Sequence, residues 1–326
     1  MKRRHAIHAS AAALGSALWP QLAASQQYPA GAVTIVLPLQ AGSASDVAVR
    51  HIAERLATRY GTGFVVENIA GAAGVLGLEK LTRAKPDGLT IAALNNSIVT
   101  ILPHLQPQNV KMDTRTEFMA IAGIATIPTF FAVPKASTVK TVKDLVAKAQ
   151  KEPGRMTYSS GGVGSPQHLA TEMFRSYTST TLVHVPYRGA TQAALAVATG
   201  EVDMMSMALP LAQPYLPEAR IRLIGYCGAE RHPQFRDIPT LSEQGVAKYE
   251  YTTWIGLFLQ KDVSPTILTA LRKEAALIVN DRSFHTQLIR SGMDPWPQNS
   301  DQLSRVVTTD YLRWQKIIQE ANIKGV

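Results

Sequence analysis

The sequence predicts an α/β protein of two lobes, each a mainly parallel sheet flanked by helices. Three observations carry that expectation. Short β-branched apolar runs alternate with segments of helical periodicity. At 326 residues the chain exceeds what one hydrophobic core usually supports. No low-complexity linker and no repeat of fixed period divides it, so a second lobe has to be reached through ordered strands.

The elements follow in order. VTIVLPL (33–39) is continuous and β-branched like a buried parallel strand, and AGSASD leads from it into a helix with Val49, Ile52, Leu56 and Tyr60 on one stripe, closed by Gly61. FVVE, a Gly-rich turn and helix in GAAGVLGLEKLTRA, and LTIAALN repeat the unit. The order β-α-β-α-β calls for a parallel sheet with helices on its faces. Further strands are expected at FMAIAGIA, TFFAVP, MTYSS, LVHVPY, VDMMSMA and IRLIGYCG, with helices at KTVKDLVAKAQ and ATQAALAVATG. The last third reads as helical around PTILTALRKEAALIVN and DQLSRVVTTDYLRWQKIIQEA. Apolar runs at 121–133 and 221–228 are the candidate crossings. They make the first lobe discontinuous, with residues 26–125 and 232–326 forming it and 126–231 inserted as the second. A ligand cleft between the lobes, with a hinge below it, is the expected consequence.

Composition narrows the classes. Hydrophobic residues make up 46% and charged residues 17% of the chain, and mean hydropathy is near zero, which fits neither disorder nor a multi-span membrane protein. The formal charge of +9 comes from scattered basic residues, with no basic run interleaved with aromatics, so nucleic acid is not an expected partner. The single cysteine, Cys227, excludes an internal disulfide and any multi-cysteine metal site.

Residues 1–25, MKRRHAIHASAAALGSALWPQLAAS, have a basic start, an Ala/Leu-rich middle and small residues at Ala23, Ala24 and Ser25. That is the order of an export signal, so the mature chain is expected to begin near Gln26 in the periplasm. The adjacent Arg3 and Arg4 leave both the general and the twin-arginine route open. Losing Lys2, Arg3 and Arg4 leaves 30 basic residues against 24 acidic ones.

Three loops are the candidate site. PLQAGSASD places Ser43 three residues before Asp46, a capping-box spacing. SSGGVGSPQHLATEMF puts a Gly-rich approach before Ser165 as N-cap and Pro166 as the first helical residue. VPYRGATQAAL passes from a strand through Tyr187, Arg188 and Gly189 into a helix. Each loop joins the carboxyl end of a strand to the amino end of a helix, where open α/β sheets bind ligands. The chemistry such ends offer is capture of an anion by backbone N–H groups, hydroxyls and helix dipoles. Any one loop alone is also ordinary capping chemistry; their co-occurrence makes the site.

Enzyme signatures do not match. Ser165 has Val163 and Gln167 around it rather than the glycines of a nucleophile elbow, and no P-loop or H-E-x-x-H is present. GAAGVLG lacks the G-x-G-x-x-G order, and a Ser165/His168 pair would crowd into the first turn of one helix. No catalysis, cofactor or metal is expected.

Five collinear segments, YPAGAVTIVLPLQAGSASDVAVRHIAERLATRYG, VVENIAGAAGVLGLEKLTRAKPDGLTIAALNN, YSSGGVGSPQHLATEMF, HVPYRGATQAALAVATGEVDMM and DIPTLSEQG, together resemble the signature segments of one family. It is the tripartite tricarboxylate transporter receptor (Bug) family of extracytoplasmic solute-binding proteins. The resemblance covers essentially the whole mature chain. It implies a periplasmic-binding-protein-like fold, capture of a small carboxylate (dicarboxylate, amino acid or aromatic acid), and delivery by a monomer to membrane permease subunits. Presentation of the liganded form to a sensor kinase is the alternative.

Carried over by position, the candidate ligand contacts are Gly42, Ser43, Ala44 and Ser45 in the first loop. In the second they are Ser160, Gly162, Val163, Gly164, Ser165 and His168; in the third, Tyr187, Arg188 and Gly189. Ser43 stands where the family usually has a second glycine, and Asp46 is read as a loop organiser rather than a contact. His168 is expected neutral near its helix N-terminus, as a hydrogen-bonding group or a capping histidine. Asn96 follows a strand and offers amide hydrogens, Asp203 offers an acceptor to a ligand amine, and Trp254 packs under the ligand or fills core.

Overall fold

The computed structural model describes residues 28–320 and Ile323. The expected export signal, residues 1–25, lies outside the described residues. The larger sheet begins with β1 (Val33–Leu37), β2 (Phe64–Asn68) and β3 (Thr90–Asn95), paired in parallel as β2-β1-β3. The helices that make this pairing possible are α1 (Ala44–Tyr60) and α2 (Val75–Thr82), the latter preceded by a 3-10 turn at Ala72–Gly74. After β3 the chain turns straight into a π-helical turn, Ser97–Ile101, then the short α3 (Leu102–Leu105) and α4 (Thr114–Glu117).

Next, β4 (Phe118–Ile127) completes the outward run, and after Pro128 the chain continues as β5 (Thr129–Pro134) of the smaller lobe. There α5 (Val142–Lys151), β6 (Thr157–Ser160), α6 (Pro166–Thr178), β7 (Val183–Pro186), α7 (Ala190–Thr199), β8 (Met205–Ala208), α8 (Leu209–Ala212) and β9 (Ile221–Tyr226) alternate. β5 runs antiparallel between β8 and β9, β6 pairs in parallel with β7, and a parallel bridge from Tyr158 to Met204 ties β6 to β8. Only β5 opposes its neighbours, so the lobe is mainly parallel in direction.

The chain returns through β10 (Thr253–Gln260), which inserts antiparallel between β3 and β4, and ends with α9 (Pro265–Val279), α10 (Arg282–Arg290), β11 (Asp294–Pro295) and α11 (Ser300–Glu320). The larger sheet is therefore ordered β11-β4-β10-β3-β1-β2. β10 has no counterpart in the sequence reading, although all eight of its residues are buried, as a strand covered on both faces requires. The segment between β9 and β10, which the sequence reading gave to the first lobe, packs on the smaller sheet. The Leu241 N–H donates to the Tyr226 carbonyl and the Tyr226 N–H to the Pro239 carbonyl, Gln244 Oε1 accepts from the Val142 N–H, and Tyr249 and Tyr251 sit in the core around Phe131 and Phe174. The aromatic residues of this stretch need burial, and the smaller sheet's core is where they find it.

Candidate functional site

A cavity of about 620 Å³ lies between the lobes, and all three predicted loops border it. Four helix amino ends converge there: α1 through Ser43, Ala44 and Ser45, α2 through Gly71 to Gly74, α6 through Ser165 to Gln167, and α7 through Gly189 and Ala190. First-turn N–H groups have no carbonyl four residues back, so these ends bring partial positive charge to the cavity. Arg188, exposed at the rim, is the only charged side chain among the described residues that line it. No carboxylate among the described residues does.

The loops owe their shape to internal hydrogen bonds. Ser43 caps α1 by accepting from the Asp46 N–H (3.2 Å). Asp46 is buried and accepts from the Gly42 N–H (3.0 Å), Arg50 Nε (3.0 Å) and Asn68 Nδ2 (2.9 Å). Burial alone would raise its pKa, but bonds from Arg50, Gly42 and Asn68 outweigh that and hold it below the usual carboxylate range. It organises the loop, as read from sequence. Ser165 caps α6 by accepting from the His168 N–H (3.4 Å), while His168 Nδ1 accepts from the Gly164 N–H (3.3 Å). Ser165 Oγ and the imidazole thus serve the backbone, not each other, which is no nucleophile and base pair.

His168 packs tilted against His184, ring centroids 4.5 Å apart, and His184 stacks on Tyr158 at 4.7 Å. Burial, with His184 beside it, pushes the His168 imidazole down to about 4, so it is neutral at pH 7. Ser160 Oγ accepts from the Gly162 N–H (3.1 Å) and meets His184 Nε2 at 2.7 Å.

Of the predicted contacts, Ser43, Ala44, Ser45, Gly162, Val163 and Gly164 line the cavity, as do Ser165, Tyr187, Arg188 and Gly189. The other five do not. Gly42 is exposed beside the lining, and its carbonyl accepts from the Thr191 hydroxyl of the other lobe (3.3 Å). Ser160 and His168 are buried behind the second loop in the contacts just given. Asn96 donates to the Thr252 carbonyl (2.8 Å), because the chain coils into the π-helical turn directly after β3 and leaves its neighbour Ser97 facing the cavity. Asp203 accepts from the N–H and hydroxyl of Thr157 (2.8 and 2.9 Å). Thr157 begins β6 and the cavity lies past its far end, so Asp203 is about 10 Å of strand away. Trp254 stacks on Trp296 and donates to Asp310 (2.6 Å), filling core rather than cavity.

The glycines serve closure more directly than ligand approach. The N–H groups of Gly42, Gly162 and Gly164 are all spent inside their loops. A Cβ on Gly164 would stand 2.8 Å from the Cβ of Ala73 in the other lobe, and one on Gly189 would fall 1.9 Å from Gln40 Oε1. Bare backbone is what lets the two walls meet.

Sequence reasoning missed Gln40 and the 70–74 turn on one wall, and Ser97, Thr129, Ser206 and Thr253 at the buried end. The signal for the turn is in GAAGVLG, a further Gly-rich strand-to-helix approach of the same kind as the predicted loops. For Ser206 it was a lone hydroxyl in the apolar strand MMSMA.

Two lobes meeting over a cavity ringed by helix amino ends define a solute-binding receptor. The model of the tripartite tricarboxylate transporter family receptor matches residues 48–323, and the chain belongs to that family, one of solute-binding proteins and not of enzymes. The chain is 29% identical to the UPF0065 protein in the tcbD-tcbE intergenic region of Pseudomonas sp. (strain P51), over 91% of this chain and 88% of that one. Among solved structures it is similar to R. palustris Rpa4515 with adipate, at 28% identity and a TM-score of 0.86, covering 92% of this chain and all of that one. A second, described as a periplasmic transporter, has 26% identity and a TM-score of 0.85, over 91% of this chain and 99% of that one.

Proposed function

We propose that the protein captures a small carboxylate in the periplasm by closing its lobes and delivers it to the permease subunits of a tripartite tricarboxylate transporter. The observation that carries this reading is the cavity wall, which has four helix amino ends, one arginine and no carboxylate among the described residues. A buried ammonium group would have no counter-ion there, whereas an anion meets N–H groups and dipoles that favour it. Ser43, Ala44 and Ser45, the loop from Gly162 to Ser165, and Tyr187, Arg188 and Gly189 are the contacts in this reading. The adipate bound by the similar R. palustris protein is a carboxylate of the expected size.

A thermal-shift screen of refolded, ligand-stripped protein against carboxylates and their amides tests it. A ligand at a hundred times its Kd adds about 2.7 kcal/mol, a shift of a few degrees for a chain this long. Shifts from carboxylates that vanish with the amides are the expected outcome. Equal shifts from acid and amide, or none from any acid, would refute it.

A further inference from the structure

The buried end of the cavity differs from its mouth. There Ser97, Thr129, Ser206 and Thr253 are each at least nine-tenths buried, together with Ile127, Ala208 and the neutral amide of Gln106. Arg188, the one charged side chain of the lining among the described residues, stands exposed at the rim.

The hydroxyls are not equivalent. Ser206 has no exposed surface, and its Oγ has no hydrogen-bond partner among the described residues; the buried thiol of Cys227 beside it is at best a weak one. In the pairing of β5 with β8, Thr129 stands opposite Ala208 and Phe131 opposite Ser206, which puts Thr129, Ser206 and Ala208 on the same face of the sheet. Thr129 spends its proton on the Ile127 carbonyl (3.2 Å), and Ser97 spends its own on Asn95 Oδ1 (2.7 Å). Ser97 and Thr129 therefore keep acceptor lone pairs, while the Ser206 proton has only the weak acceptor Cys227 Sγ to turn to.

A buried hydroxyl without a partner costs stability, and a ligand group that completes it returns that cost as affinity. The group that fits must both accept from Ser206 and donate to Ser97 or Thr129. A carboxylate only accepts and would be buried without a cation; an ammonium only donates and would be buried without an anion. We infer that the ligand is a monocarboxylate whose far end carries a neutral donor and acceptor, a hydroxyl or a carboxamide, completed by Ser206, Thr129 and Ser97. This rests on the carboxylate reading above and goes further by fixing the other end of the molecule.

The test uses probes of matched length on the mature protein. Calorimetric Kd values are measured for ω-hydroxyalkanoates of four to eight carbons against the plain alkanoates, ω-aminoalkanoates and α,ω-dicarboxylates of equal length. At the best length the hydroxy acid is expected to bind at least about tenfold tighter than each of the others. An alkanoate, amino acid or dicarboxylate that binds as well overturns the inference while the receptor reading stands; silence from every acid overturns both. Ser206→Ala separates a ligand contact from a structural one. The unliganded variant is expected to melt no lower than the wild type, because it loses an unpaired buried group, and to lose about tenfold in affinity for the hydroxy acid but not for the alkanoate. A lower melting temperature with unchanged affinity would make Ser206 structural and sink the proposal.

Discussion

Gly164 has two separate reasons to carry no side chain: its φ of 77° lies in the left-handed region, and Ala73 of the opposite wall is within 2.8 Å of where a Cβ would be. The two can be told apart. Gly164→Ala is expected to weaken carboxylate binding at least tenfold with a small loss of unliganded stability, about 1 kcal/mol for the backbone strain. Adding Ala73→Gly should restore most of the affinity, measured by calorimetry on the double variant; because Ala73 itself sits at φ 57°, its effect on the melt is read against the Ala73→Gly single variant. Affinity that stays low in the pair would place the glycine's role at the ligand instead of at closure. His168 gives a second prediction. Its imidazole titrates near 4 when folded and near 6.5 when unfolded, so between those values the unfolded chain holds the extra proton. Stability is thus intact above pH 6.5 and is lost as the pH falls toward 4, by up to about 1.4 kcal/mol per pH unit for one proton. His168→Gln should flatten that part of the pH profile relative to the wild type, and parallel profiles would show the ring titrates normally. The sequence placed His168 correctly at a helix start and predicted its neutrality. It did not show that the ring turns back to occupy the Gly164 N–H, since that depends on a side-chain rotamer and on the Tyr158 and His184 stack beneath it.

Helix starts were the most legible elements, because capping chemistry is local. Ser43 and Ser165 each stand at the N-cap the pattern predicted, Gly189 leads into α7 as expected, and Thr141 with Asp144 forms a full capping box at α5. β10 was not legible as a strand. TWIGLFLQ is mostly apolar with one β-branched aliphatic residue, Ile255, and periodicity does not separate such a run from a buried helix segment; its position between β3 and β4 is what makes it a strand. The lobe assignment of the segment before it failed for the same reason, since which core receives Tyr249 and Tyr251 is a tertiary matter. The start of α1 yields a prediction at this scale. Asp46 gathers three donors, and an asparagine would present its amide hydrogens to at least one of them. Asp46→Asn is expected to destabilise the unliganded protein by about 1–3 kcal/mol at pH 7. The gap should narrow below the ordinary carboxylate range, where wild-type Asp46 also protonates. A melt indistinguishable from wild type at pH 7 would mean that α1 and its loop do not depend on that carboxylate.

On the scale of the molecule, the lobes are not independent bodies joined by a hinge alone. The core that holds Ala48, Val49 and Ile52 of α1 continues without a break into Ala193 and Val197 of α7, Leu211 and Ala212 of α8, and Ile255 and Leu257 of β10. The amino ends of α1 and α7 also meet at the cavity mouth, where Thr191 reaches the Gly42 carbonyl. Apolar surface shared in this way cannot be exposed in one lobe without being exposed in the other, at a cost of roughly 25 cal/mol for each Å². Unfolding of the unliganded protein should therefore be one cooperative transition, with calorimetric and van't Hoff enthalpies equal. Two resolved transitions would mean that the common core is too thin to couple the lobes. The same coupling bears on closure. Because α1, α7 and α8 pack together behind the cavity, ligand should change the separation of the two walls at the mouth and leave that rear contact fixed. Spin labels at Leu76 and Tyr177, both exposed, report motion of the mouth-side helices; labels at exposed Leu195 and Leu277 report the rear. A shortening confined to the first pair on adding carboxylate is the expected result, and equal shifts in both would replace a hinge with rigid displacement of whole lobes.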